Sequence, residues 1–128
     1  MIKWRVDTVL ELHQMMAAAT GGDVGVRDTA LLESAIESAY ATFDGTELYP
    51  TREEKAARLA FSLIKNHAFV DGNKRIGIFV MLCFLELNGV SLCAHNREVA
   101  ALGWAVADGS AGYDSLVDWI RAHTQAGK

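Results

Sequence analysis

Apolar residues recur at helical spacing along almost the whole chain. Val6, Val9, Leu10, His13 and Met16 or Ala17 share one face of a helix predicted over residues 7–19, which Gly21-Gly22 ends. Leu31, Leu32, Ala35, Ile36 and Ala39 give the buried stripe of a second helix, running from an Asp28 N-cap to about residue 40. A third helix, over 53–65, is opened by the capping box Thr51-x-x-Glu54 and buries Ala56, Ala57, Ala60, Leu63 and Ile64. The pattern changes over 73–87, where Ile78 to Leu85 are eight consecutive apolar residues. A helix apolar on every side belongs in the middle of a core, and Asn88-Gly89 ends this one. Residues 97–107 and 113–123 complete the set, with Trp104, Leu116, Trp119 and Ile120 expected to pack them on the bundle. Between these runs, 43–50 reads as a loop with an Asp44-Gly45 turn, and 90–94 is β-like but too short to found a sheet. The expected fold is all-α: one domain over 1–128, of about six helices around a central apolar helix.

Composition narrows the class. Half of the residues are apolar, enough for a core without covalent staples. Cys83 and Cys93 read as packing residues, with neither Cys-x-x-Cys nor metal-ligand spacing. Residues 1–19 lack a signal-peptide pattern, and no apolar run approaches the roughly 20 residues that span a bilayer. A soluble cytoplasmic protein without membrane contact is therefore expected. The net charge of −4 argues against wholesale nucleic-acid binding. Residues 52–75 nevertheless carry a net +3 against −7 elsewhere, a basic island suited to a local anionic ligand. Within it, Arg52, Lys55 and Arg58 read as a solvated helix face.

Candidate chemistry gathers in residues 66–75. Lys74 and Arg75 open the most apolar helix, although a helix N-terminus favours negative charge. An anion held by the free N–H groups of that turn resolves the conflict, and phosphate fits it. His67 is a candidate base for an attacking hydroxyl, or alternatively a C-terminal helix cap. Asp71 suits Mg²⁺ beside bound phosphates, or an N-cap. Gly72 permits a tight turn and close backbone approach. Asn73 offers an amide, and Lys74 and Arg75 offer donors for phosphate oxygens. Phe69 is expected to anchor the loop in the core. Base, metal carboxylate and anion cradle together suffice for phosphoryl or nucleotidyl transfer, and neither a P-loop nor the protein-kinase signature set is present. Elsewhere, His13 on its apolar stripe reads as a hydrogen-bonded core histidine, Arg27 as a phosphate donor or a local surface pair, and His123 as exposed and inert.

His67, Phe69, Asp71, Gly72, Asn73, Lys74 and Arg75 fill in order the pattern His-x-Phe-x-Asp/Glu-Gly-Asn-Gly/Lys-Arg. This resembles the Fic/Doc family motif, with Lys74 in the form typical of the Doc branch. Gly21-Gly22, Gly25-x-Arg27-Asp28, Leu31-Leu32-Glu33-Ser34-Ala35, Tyr49-Pro50 and Asn88-Gly89 extend the resemblance over most of the chain. It implies the Fic fold, ATP and Mg²⁺ as cofactors, His67 as base, Asp71 on the metal, and Gly72, Asn73, Lys74 and Arg75 on the nucleotide phosphates. It also implies a substrate flap at residues 43–50, where Leu48 and Tyr49 either touch the target or tuck into the core edge. Most Fic proteins transfer AMP and carry Gly, a second Arg and Pro where this chain has Lys74, Ile78 and Ala68. The Doc branch implies instead a toxin kinase that phosphorylates a threonine of translation elongation factor Tu and arrests translation. The Doc resemblance also implies an antitoxin of Phd type as partner; no inhibitory Ser/Thr-x-x-x-Glu-Gly/Asn helix is visible in this sequence, so any inhibition is expected from another polypeptide. AMP transfer and a non-catalytic protein-binding module are the alternatives.

Overall fold

A computed structural model describes residues 3–23 and 25–124. Six α-helices follow one another: α1 (Val6–Thr20), α2 (Thr29–Glu37), α3 (Arg52–Asn66), α4 (Asn73–Leu87), α5 (Asn96–Asp108) and α6 (Tyr113–His123). The mostly α-helical expectation is met, with two local departures. The second helix stops at Glu37 and tightens into a 3₁₀ turn over Ser38–Tyr40. The loop after it holds a short antiparallel hairpin, β1 (Thr42–Phe43) with β2 (Thr46–Glu47), turning through Asp44 and Gly45 at positive φ. Capping follows the sequence. The Asp28 side chain accepts the Leu31 N–H at 3.0 Å. Thr51 and Glu54 form the reciprocal capping box of α3.

The most enclosed helix is α3 rather than the more apolar α4. It packs against α2, α4, α5 and α6, and its small residues Ala56, Ala57 and Ala60 are fully buried along with Leu59, Leu63 and Ile64. The α3–α4 crossing is close because Gly77 has no side chain. A Cβ there would stand 2.6 Å from Ile64 Cγ1 and 3.1 Å from the Ala60 carbonyl oxygen. α4 buries Ile76, Ile78, Val80, Met81, Phe84 and Leu85 but leaves Phe79 exposed and Leu82 half-buried beside α1 and α5. Its apolar run thus serves two surfaces, of which only one is core.

Four expectations need correction. Trp104 is 64 % exposed, because α5 buries Leu102, Gly103 and Val106 and turns residue 104 outward. Lys55 is buried, not solvated: its ammonium donates to Glu47 Oε1 at 2.7 Å and to the Tyr49 carbonyl. Cys93 is exposed and contributes only main chain, its N–H donating to the His123 carbonyl at 2.8 Å. His123 is partnered, bonded to the Trp119 carbonyl at 2.7 Å and to Glu98 at 3.0 Å. Among the described residues no helix is long and apolar enough to cross a membrane.

Candidate active site

The loop between α3 and α4 turns on two residues in the left-handed region. His67 caps α3 at φ 50°, and Gly72 precedes α4 at φ 78°. The positive φ favours glycine at 72, and space there is limited. A Cβ would meet Met16 Cε at 3.3 Å and His13 Nε2 at 3.6 Å. His67 holds a conformation that disfavours side chains, which is tolerated where surrounding structure fixes it. Arg27 supplies that fixing. Its Nε donates to the His67 carbonyl at 2.7 Å and its Nη2 to the Asn66 carbonyl at 3.2 Å, so it caps the C-terminus of α3.

A strap formed by residues 25–28 pairs with the loop backbone. The Arg27 and Asp28 N–H groups donate to the Ala68 carbonyl at 2.7 and 3.0 Å, the Val70 N–H donates to the Gly25 carbonyl at 3.0 Å, and Val26 bridges Phe69. Phe69 is 1 % exposed and anchors the loop in the core as expected. Asn73 closes the loop from the other side. Its Oδ1 accepts the Phe69 N–H at 3.1 Å and its Nδ2 donates to the Phe69 carbonyl at 3.0 Å. Both heteroatoms of that amide thus bond to the backbone of Phe69, and the second amide hydrogen and the main-chain N–H remain as donors.

The loop so held presents its chemistry outward. His67 is exposed and its ring has no partner among the described residues. Asp71 is exposed, accepts the Gly72 N–H on Oδ1 at 2.8 Å, and has no hydrogen bond on Oδ2 among the described residues. Gly22 faces that oxygen, where a Cβ would lie only 2.9 Å away. No side chain caps α4, in contrast to α2 and α3, so among the described residues its first N–H groups have no side-chain partner. Lys74 reaches sideways, its Nζ 4.2 Å from the centre of the exposed Trp104 ring. Arg75 is exposed, and no carboxylate among the described residues pairs with either cation. Lys74, Arg75 and Trp104 line one end of a groove of about 270 Å³ between α4 and α5, with Ile78, Val99 and Gly103 along its walls.

His67, Asp71, Gly72, Asn73, Lys74 and Arg75 are thus brought together on one loop and helix start. Leu48 is exposed, and Tyr49 is half-buried at the core edge. Tyr49 packs edge-on against Tyr113, with centroids 5.2 Å apart, and its carbonyl is held by Lys55 in the first turn of α3. A 15-residue helix spans about 22 Å, and His67 is at its other end. The resemblance implied a substrate flap at residues 43–50, with Leu48 and Tyr49 either on the target or at the core edge. The backbone that pairs with the motif is 25–28, and Arg27 and Trp104 are the residues that sequence patterns undervalue.

The donor set bears on a metal. Among the described residues no group of three or more His, Cys, Asp and Glu could cage an ion. One exposed carboxylate, with no hydrogen bond on one oxygen among the described residues, fits Mg²⁺, which keeps waters and takes one or two carboxylates together with substrate phosphates.

The sequence profile of the Fic/DOC family matches residues 3–85. Toxin Doc of Mycolicibacterium smegmatis (strain ATCC 700084 / mc(2)155) is 47% identical over 76 residues, which make up 59% of this chain and 58% of that relative. The chain therefore spans somewhat under two thirds of the length of the curated relative it matches. With the profile covering most of the chain and the motif loop built as described, this protein belongs to the Fic/Doc family, and its likeness falls on the Doc branch.

Proposed function

We propose that the protein is a Doc-like toxin that transfers the γ-phosphoryl group of ATP to a hydroxyl of a protein target. One observation carries this reading: Lys74 and Arg75, without a carboxylate partner among the described residues, stand in the first turn of a helix with no side-chain cap, a few residues from an exposed imidazole and an exposed carboxylate. Such a terminus binds anions, and the two side chains add charge-assisted donors for phosphate oxygens. The main-chain N–H groups of Asn73, Lys74 and Arg75 would cradle the phosphates, and Gly72 keeps them approachable. Asp71 Oδ2 would hold Mg²⁺, which neutralises charge on the phosphates when bound.

In this reading the target hydroxyl oxygen forms a bond to the γ-phosphorus. His67 takes the hydroxyl proton, and the bond to the β–γ bridging oxygen breaks to release ADP. Loop and strap do most of the catalysis by positioning, as phosphoryl transfer demands. Ile78 favours γ- over α-transfer. It is buried and apolar where AMP-transferring members, by the resemblance above, carry a second phosphate-binding Arg. The proposed target is a threonine of elongation factor Tu, with translation arrest as the outcome. A Phd-type antitoxin on another polypeptide would restrain it.

Incubation of the protein and elongation factor Tu with ATP labelled at either the α or the γ position tests the reaction. Label transferred from the γ position, and abolished in Lys74→Ala, is expected. Transfer from the α position would establish AMP transfer instead, and transfer from neither would leave only a binding module.

A further inference from the structure

His13 lies on the inner face of α1, only 1 % exposed, with its ring flat on Phe69 at 3.7 Å between centroids and 10° between planes. Its Nε2 stands 2.7 Å from the Asp71 carbonyl oxygen, while Nδ1 is enclosed without a partner. A carbonyl oxygen only accepts, so a contact of that length requires the hydrogen to be on Nε2. The other tautomer sets two lone pairs against each other and encloses an unsatisfied N–H. The geometry therefore assigns the Nε2–H tautomer, with the bare nitrogen facing the core.

That carbonyl belongs to the peptide linking Asp71 to Gly72, and the N–H of the same peptide is taken by Asp71 Oδ1 at 2.8 Å. One peptide plane is thus gripped at both ends, by α1 through His13 and by the carboxylate itself. Turning the peptide would swing both the carboxylate and the start of α4. The stacked Phe69 removes the remaining freedom, because Asn73 binds the backbone of Phe69 on both sides.

We propose that His13 is a positioning residue of the site: through the Asp71–Gly72 peptide it sets the direction of the Asp71 carboxylate and of the first N–H groups of α4. This rests on the reading of the loop as a magnesium–nucleotide site. His13 touches no reacting atom. It comes from 58 residues earlier in the chain and is the only contribution of α1 to the loop's polar bonding among the described residues.

Two measurements test it. A long-range ¹H–¹⁵N spectrum of the wild-type protein should show His13 protonated at Nε2 and bare at Nδ1. The reverse tautomer would overturn the bond. Calorimetric titration with Mg–ATP should then compare wild type, His13→Phe and His13→Gln. Phe keeps the stack and removes the donor, whereas Gln can bring an N–H close to the place of Nε2. Loss of about 10- to 100-fold in affinity for Phe, the usual size for a group that orients a metal ligand, with most of it recovered by Gln, is the expected result. A Phe variant that loses melting temperature but binds as wild type does would show a packing role only, and so would a Gln variant that recovers nothing. Should Phe fail to fold, the spectrum and the Gln variant decide. A wild-type protein that binds no Mg–ATP would sink the functional reading above. Wild-type binding matched by the Phe variant would sink this inference alone.

Discussion

The two ends of α3 hold cations in opposite situations. At the N-terminal end Lys55 is buried, and its ammonium is claimed by Glu47 and by the Tyr49 carbonyl. Beyond the C-terminal end, half-buried Lys74 and exposed Arg75 have no carboxylate partner among the described residues, at a helix start whose dipole repels them. Glu47 was within reach of a lysine and was used. Asp71, only three residues from Lys74, forms no ion pair with it and spends one oxygen on its own neighbour instead. The fold completes its electrostatics at Lys55 and leaves them open at Lys74 and Arg75, where the proposed phosphates would complete them.

Substitutions at the two ends should therefore separate stability from activity. The largest effect is expected at His67. His67→Gly should lower phosphoryl transfer by about 10²- to 10⁴-fold, the usual worth of a general base. Because residue 67 is left-handed at φ 50°, the same change should raise stability by up to about 1 kcal/mol. Denaturant midpoints and transfer rates on one preparation would check both, and a variant that is destabilised yet active would reverse the assignment.

Lys55→Met gives the mirror image. It leaves the Tyr49 carbonyl and Glu47 without their donor and should destabilise by about 1–3 kcal/mol. Transfer per folded molecule should stay at the wild-type level. A drop in transfer at constant folded fraction would mean that the hairpin end communicates with the motif.

The smallest effect concerns pH. The Trp119 carbonyl and then Glu98 hold the His123 pKa above its ordinary 6.5. A raised folded value means that this contribution is complete below 6.5 and is lost as pH rises through the folded value. The melting temperature of wild type relative to His123→Gln should therefore be highest in mild acid and converge in alkali. A difference that is flat across that range would remove His123 from the account.

Much of the candidate site was legible as a pattern because it is local. Seven motif positions lie within nine residues, and the misplaced charge at the start of α4 needs only that stretch to be noticed. The helices were legible from periodicity and capping, as at Thr51 and Glu54. What escaped depends on contacts between distant segments. The strap at 25–28 meets the loop some 40 residues on, so Arg27 looked like a surface charge before its bonds to Asn66 and His67 appeared. Lys55 looked solvated until a hairpin brought Glu47 to it. Asn73 read as a phosphate donor alone, and the bracing of Phe69 by its amide appeared only with the loop's fold. Trp104 was expected inside because it is large and apolar, yet its place on α5 is set by the angular position of residues 102, 103 and 106.

The claim on which the rest depends is that nucleotide phosphates occupy the cationic start of α4. Equilibrium binding of Mg–ATP to wild type and Arg75→Ala tests it most directly, paired with unfolding of both proteins without nucleotide. Wild type should bind saturably. Arg75→Ala should lose about 1.5–3 kcal/mol of binding, the worth of a hydrogen bond to a charged group, while the unliganded variant gains roughly 0.3–1 kcal/mol from relief of the helix dipole. Equal affinity in the two proteins, or no binding by either, would contradict the account.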